Sequence, residues 1–164
     1  MLMKKFMFLL LLLPFSVLAQ TDKEKDPNEA RNDGKLAYVS SAKTFSQPAV
    51  RKENSPKKLK DDEVYVGSVK FTIGSSVIAA DSAIYYTNEG TIAFFNVKLV
   101  NPQSFGLVSD KMLYTKDDNK GALTSNITVK ALNDMVVGTS ESMKVDFSYE
   151  IYRIVDGSMI PPKQ

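Results

Sequence analysis

A period of about thirty residues runs through the chain beyond residue 61 and fixes what it can fold into. One block reads Ser68-Val69-Lys70-Phe71, then Asn96-Val97-Lys98-Leu99, then Asn126-Ile127-Thr128-Val129, at spacings of 28 and 30 residues. A second reads Ala80-Asp81-Ser82-Ala83-Ile84-Tyr85, then Ser109-Asp110-Lys111-Met112-Leu113-Tyr114, then Ser140-Glu141-Ser142-Met143-Lys144-Val145, at spacings of 29 and 31. Two independent blocks with one period describe stacked supersecondary units, here about three units of two strands each. Such units bury a continuous core only when piled on one another.

The units are β. Their runs are rich in Val, Ile, Phe, Tyr and Thr, and turn clusters punctuate them at Asn88-Glu89-Gly90, Asn101-Pro102, Asp117 to Gly121, Asn133-Asp134 and Asp156-Gly157. No segment carries the i, i+3, i+4, i+7 pattern of a helix over eleven or more residues. Because side chains alternate across a strand, parity assigns faces. Ala83/Met112/Met143 and Tyr85/Tyr114/Val145 share one apolar parity, as do Val69/Val97/Ile127 and Phe71/Leu99/Val129. The other parity is mixed, with Lys70/Lys98/Thr128 and Ser82/Lys111/Ser142. One face therefore points into a core and one toward water, as in an antiparallel sheet that folds over on itself.

The stretches "VKFTIGSSVIAADSAIYYTNEGTIAFFNVKLVN" and "GLVSDKMLYTKDDNKGALTSNITVK" resemble the OstA/LptA-like proteins of lipopolysaccharide transport, whose repeat alternates an N-V-x-φ strand with an A-D-x-φ-x-Y strand (φ apolar). The third copy departs from this pattern, with Glu141 for Asp and Val145 for Tyr. The resemblance implies an open β-jellyroll in the periplasm whose interior shields lipid A acyl chains non-covalently. It implies no cofactor and no enzymatic activity. Partners would be lipopolysaccharide or a similar lipid, other envelope transport proteins docking through β-strand edges, and a second copy of the chain. The inward apolar positions expected to meet lipid are Ala83, Tyr85, Phe95, Val97, Met112, Tyr114, Met143 and Val145. The competing reading is an exported structural or adhesive β-repeat domain whose interior is closed core. Ala83 stands where the other repeats have Met112 and Met143, so Ala83→Met is expected to fold with near-normal stability, within the ~1–3 kcal/mol of ordinary overpacking.

Two further segments precede the repeats. Residues 1–19 read as an export signal: Lys4 and Lys5, an apolar run from Phe6 to Leu18, and Val17-Leu18-Ala19 ahead of a cleavage point near Ala19-Gln20. The run is shorter than the ~20 residues that cross a bilayer as a helix, which favours cleavage over a retained anchor. Residues 20–61 read as a disordered basic linker. Over 20–60 there are ten basic residues against six acidic ones, few large apolar side chains, and three prolines. The expected domain, residues 62–160, lies in an acidic region: 61–164 holds nine basic and thirteen acidic residues. An acidic exported domain with no basic stripe argues against nucleic-acid binding.

The chain contains no Cys, His or Trp. That removes disulfides, thiolate nucleophiles, histidine acid–base catalysis, zinc-finger ligation and a Ser-His-Asp triad. Asp81, Asp110 and Glu141 recur once per repeat, two strands or about 9.6 Å apart in a simple stack. That spacing invites comparison with an inverting glycosidase pair or a calcium ladder. Catalytic pairs need unlike environments to separate their pKa values, whereas repeat-equivalent positions offer similar ones. The acids therefore read as corner residues accepting backbone N–H bonds, and Asn126-Ile127-Thr128 reads as a repeat strand rather than a glycosylation site.

Overall fold

The computed structural model describes residues 36–49 and 59–162. The expected signal segment 1–19 and most of the expected linker lie outside them. The described chain is all-β. Its strands are β1 (Ala37–Ser40), β2 (Lys43–Gln47), β3 (Asp62–Ile73), β4 (Ser76–Tyr86), β5 (Thr91–Val100), β6 (Gly106–Thr115), β7 (Lys120–Lys130), β8 (Val136–Asp146) and β9 (Arg153–Gly157). All pair antiparallel in one sheet of order β1-β3-β4-β5-β6-β7-β8-β9, with β2 also on β3. The three expected repeats are the hairpins β3–β4, β5–β6 and β7–β8, so the repeat period is a hairpin period.

Each long strand turns a corner at its middle. Ser68, Asn96, Ser125 and Asn126 hold positive φ angles inside strands, as does Gly67. Three of them, Ser68, Asn96 and Asn126, are the first positions of a repeat block. Asn tolerates this conformation because its short polar side chain bonds locally. Register shifts fall at the same level, between Val66 and Val69, Val108 and Lys111, and Thr124 and Ile127. On β4, β6 and β8 the inside of the corner is held by Ala80, Ser109 and Ser140, all buried. The two buried hydroxyls donate to carbonyls two residues on, Ser109 to Lys111 at 3.1 Å and Ser140 to Ser142 at 2.8 Å.

The corner folds the sheet over itself. An eleven-residue strand such as β4 would span about 36 Å if straight, with the 74–75, 101–105 and 131–135 turns at one end and the 87–90 and 116–119 turns at the other. The six-residue loop 147–152 reaches at most about 20 Å, yet it bonds to turns at both ends. The sheet thus has two limbs facing each other across an apolar interior. The limbs meet in side-chain contacts such as Phe71 on Phe94, ring centroids 5.2 Å apart and nearly perpendicular. This geometry gains attraction beyond simple burial.

The corner also switches the alternation of side chains, which strict parity along a whole strand does not anticipate. On β5, Ile92 and Phe94 face inward before Asn96, and Val97 and Leu99 after it. Phe95, expected inward with Val97, is therefore corrected to the outer face. It is half-buried there, with the Lys111 ammonium 5.7 Å from its ring centroid. Phe94, wholly buried, holds the inward place instead.

The first strands revise a second expectation. Ala37–Ser40 and Lys43–Gln47 fall within the stretch read as disordered linker, yet they line the edge of β3. β1 pairs with the second half of β3 and β2 with its first half. Between them the chain rounds the corner at Ala42, whose N–H donates to the Gly67 carbonyl at 2.7 Å. A Cβ on residue 67 would stand 2.9 Å from the Ala42 Cβ, and φ there is +75°, so only glycine fits.

Candidate functional site

The interior is the candidate site. Along one limb the cross-strand register sets Tyr65, Ala83, Phe94, Met112, Leu123 and Met143 in one row over β3 to β8. A neighbouring row carries Ile92, Tyr114, Gly121 and Val145. Of the eight positions expected from sequence, Ala83, Val97, Met112, Tyr114, Met143 and Val145 are buried in this core, and Tyr85 is partly buried against it. Only Phe95 lies elsewhere.

The rows explain why Ala83 is small. It sits opposite Tyr65 on one side and Phe94 on the other, and Tyr65 and Phe94 both pack on Phe71. Aromatic rings fill the volume that Met112 and Met143 take in the other repeats. These neighbours are what the longer side chain of Ala83→Met would press against, at the ~1–3 kcal/mol cost of ordinary overpacking.

Nothing polar is stranded in this interior. Among the described residues no buried side-chain nitrogen or oxygen lacks a hydrogen-bond partner. Tyr114 donates its hydroxyl to Asn119 Oδ1 at 2.7 Å, Tyr152 to the Phe105 carbonyl, and Tyr65 to Glu63. Burial pushes the Tyr114 phenol up to about 12 and those of Tyr65 and Tyr152 higher still, with Glu63 adding to the rise at Tyr65. The unfolded chain ionises these groups near 10.0, so their burial as neutral phenols adds stability that is complete below that pH. It is lost as pH rises through the folded values. In alkaline titration, the phenolate absorbance of Tyr65, Tyr114 and Tyr152 is expected to lag behind that of free tyrosine and then rise together with loss of the β-sheet circular dichroism, from pH 10 upward.

The repeat acids sit on the outside of the corner. Asn96 Nδ2 donates to Asp81 at 2.8 Å, and Asn126 Nδ2 to Asp110 at 2.7 Å. The partner is thus the left-handed asparagine of the neighbouring strand, not a backbone N–H as expected, and the pairing ties the two repeat blocks together. Both pairs are exposed, and the described residues contain no cluster of three or more acids placed to hold a metal ion.

Three groups escaped the sequence reading. Asn101, marked there only as a turn residue, is buried and donates to Ser75 Oγ and Ser76 Oγ at 3.0 Å and to the Glu150 carbonyl at 3.3 Å. Phe147 and Tyr152, beyond the third repeat, are both core residues. The edge strands expose apolar side chains as well: Val39 and Phe45 on β1–β2, and Val155 on β9 with Ile160 beyond it. A cleft of about 340 Å³ opens beside the 101–105 and 131–135 turns, lined in part by Lys98, Lys130 and Leu132 and by the core residues Leu99 and Leu107.

Comparison with known proteins bears on this architecture. A family model described as OstA-like protein matches residues 41–163. Among solved structures, the chain is similar to LptH of Pseudomonas aeruginosa, described as the LptA-homologous periplasmic component of the conserved lipopolysaccharide transport device. The superposition has a TM-score of 0.51 at 11% identity and covers 81% of this chain and 99% of that one. At that identity the likeness speaks for the jellyroll fold. No curated protein matches the sequence.

Proposed function

The chain belongs to the OstA-like family, and from that premise we propose that it carries lipopolysaccharide across the periplasm, shielding the lipid A acyl chains between the two limbs. The observation that carries this reading is the apolar row Ala83, Phe94, Met112, Leu123 and Met143, continuous over five strands. A row of that length suits extended acyl chains, and Met112 and Met143 have the flexible thioether side chains that adapt to an irregular ligand. LptH, which shares the fold, is a component of a lipopolysaccharide transport device, and this supports the same role here. In this reading residues 1–19 direct export and are removed near Ala19-Gln20. Transfer is non-covalent and needs no cofactor. The exposed edges at β1–β2 and β9 offer unpaired backbone groups to envelope partners or a second copy by strand addition.

A second reading, a closed structural or adhesive repeat, is favoured by one observation: Ala83, Met112 and Val145 have no exposed surface at all. Photo-crosslinkable lipopolysaccharide separates the two. The carrier is expected to be labelled saturably, with adducts on peptides containing Met112, Tyr114 and Met143. A closed repeat gives no adducts at lipid concentrations that label an established carrier, and that result would retire the transport reading.

A further inference from the structure

Between β8 and β9 the chain leaves the sheet for residues 147–152, reaches the facing limb, and returns to the limb it left, where Arg153 pairs with Asp146. On the near side the Phe147 N–H donates to the Asn119 carbonyl at 2.9 Å. On the far side the Glu150 carbonyl accepts from Ser75 Oγ at 3.1 Å and from Asn101 Nδ2 at 3.3 Å. The Tyr152 hydroxyl reaches the Phe105 carbonyl, and its ring packs edge-on against Phe105.

The loop also fills a place in the core. Gly121 lies between Tyr114 and Val145 in the cross-strand register, so the inward row has no side chain there. The Phe147 ring takes that space. A Cβ on Gly121 would stand 3.1 Å from its Cε2, 3.0 Å from Val145 Cγ2 and 3.1 Å from Met112 Sδ. The missing side chain in the row and the ring that replaces it come from different elements, and the ring can leave without disturbing the strand ladder.

We propose that the space held by Phe147, beneath loop 147–152, is the mouth through which an acyl chain enters the interior, and that the loop is its displaceable occupant. This rests on the carrier reading above and adds the doorway to it. The far-side hydrogen bonds named above are donated by side chains, so they part singly. The loop then swings on the last ladder pair, Asp146 with Arg153, and exposes a cleft lined by Met112, Tyr114 and Val145. A lipid that binds only the open form draws the population toward it.

The chain has no cysteine, so Ser75→Cys with Glu150→Cys in the full chain introduces a single disulfide across the mouth. Melting curves of the oxidised and reduced forms establish that both are folded. Labelling by photo-crosslinkable lipopolysaccharide is expected to fall about tenfold or more on oxidation, as the open state is withdrawn, and to return on reduction. A second variant acts in the opposite sense. Tyr152→Phe removes the hydroxyl bond to Phe105 while keeping the ring, and should raise apparent affinity roughly three- to tenfold. Equal labelling of the oxidised and reduced pair overturns the doorway and leaves the carrier reading intact. Stronger labelling of Tyr152→Phe than of the wild type supports the doorway. No labelling of any form ends both.

Discussion

Phe94→Ala is expected to destabilise the domain by about 3–5 kcal/mol, while Phe95→Ala, one residue along, changes stability by about 1 kcal/mol or less. Phe94 has no exposed surface, stands between Ala83 and Met112 in the inward row, and packs on Phe71 of the facing limb. Its removal leaves a cavity where the limbs meet. Phe95 on the outer face loses only its partial burial and the Lys111 ammonium above its ring. For a domain of about 100 residues, 3–5 kcal/mol corresponds to a drop in Tm of roughly 12–40 °C. Thermal melts of the two variants side by side measure the contrast. Similar losses for both would mean that the alternation does not switch at Asn96.

That switch marks where the sequence stopped being legible. The repeat, the all-β class and the inward positions on each side of the corner follow from spacing and parity, because burial imposes a period of two on any strand with one dry face. A corner in mid-strand resets the parity, and the left-handed conformation that makes it leaves only a weak trace in sequence. Ser68, Asn96 and Asn126 carried that trace as the shared head of a repeat block. Read as ordinary strand residues, they left Phe95 on the wrong side. The Asn96–Asp81 and Asn126–Asp110 pairs were hidden for the same reason, since each joins one block to the other across two neighbouring strands.

Other parts were illegible because their stabilising contacts are remote in sequence. β1 and β2 are only four and five residues long and exposed along nearly their whole length, so nothing in their pattern sets them apart from a tether. What orders them is the unpaired edge of β3 and the stacking of Tyr38 on Tyr65 and Phe71. Phe147 and Tyr152 follow the last repeat, where the period offers no guide. Their burial depends on Gly121 leaving room and on turns 47 or more residues away supplying partners for Tyr152 and Glu150. Asn101 shows the same limit: an Asn-Pro pair announces a turn but not that the Asn side chain joins that turn to two other segments.

Ala83→Met is the change in which packing and lipid carriage part company. The residue has no exposed surface and lies between Tyr65 and Phe94, so the added atoms must displace rings already in contact with Phe71. The expected cost is about 1–3 kcal/mol, the usual range for overpacking a filled core. That is tolerable for a domain whose total stability is of the ordinary 5–15 kcal/mol. In a carrier the same atoms narrow the space between the limbs at the β3–β5 end, and lipopolysaccharide labelling should fall along with stability. In a closed repeat only the stability changes. Leu113→Met is the control: it adds a methionine on the exposed side of β6 and should alter neither. Loss of labelling by Ala83→Met at a temperature where its circular dichroism still matches that of the folded wild type would put the acyl chains in this row. Undiminished labelling would move them to the β6–β8 end, where Met112, Leu123 and Met143 line the same interior without an aromatic neighbour on β7 or β8.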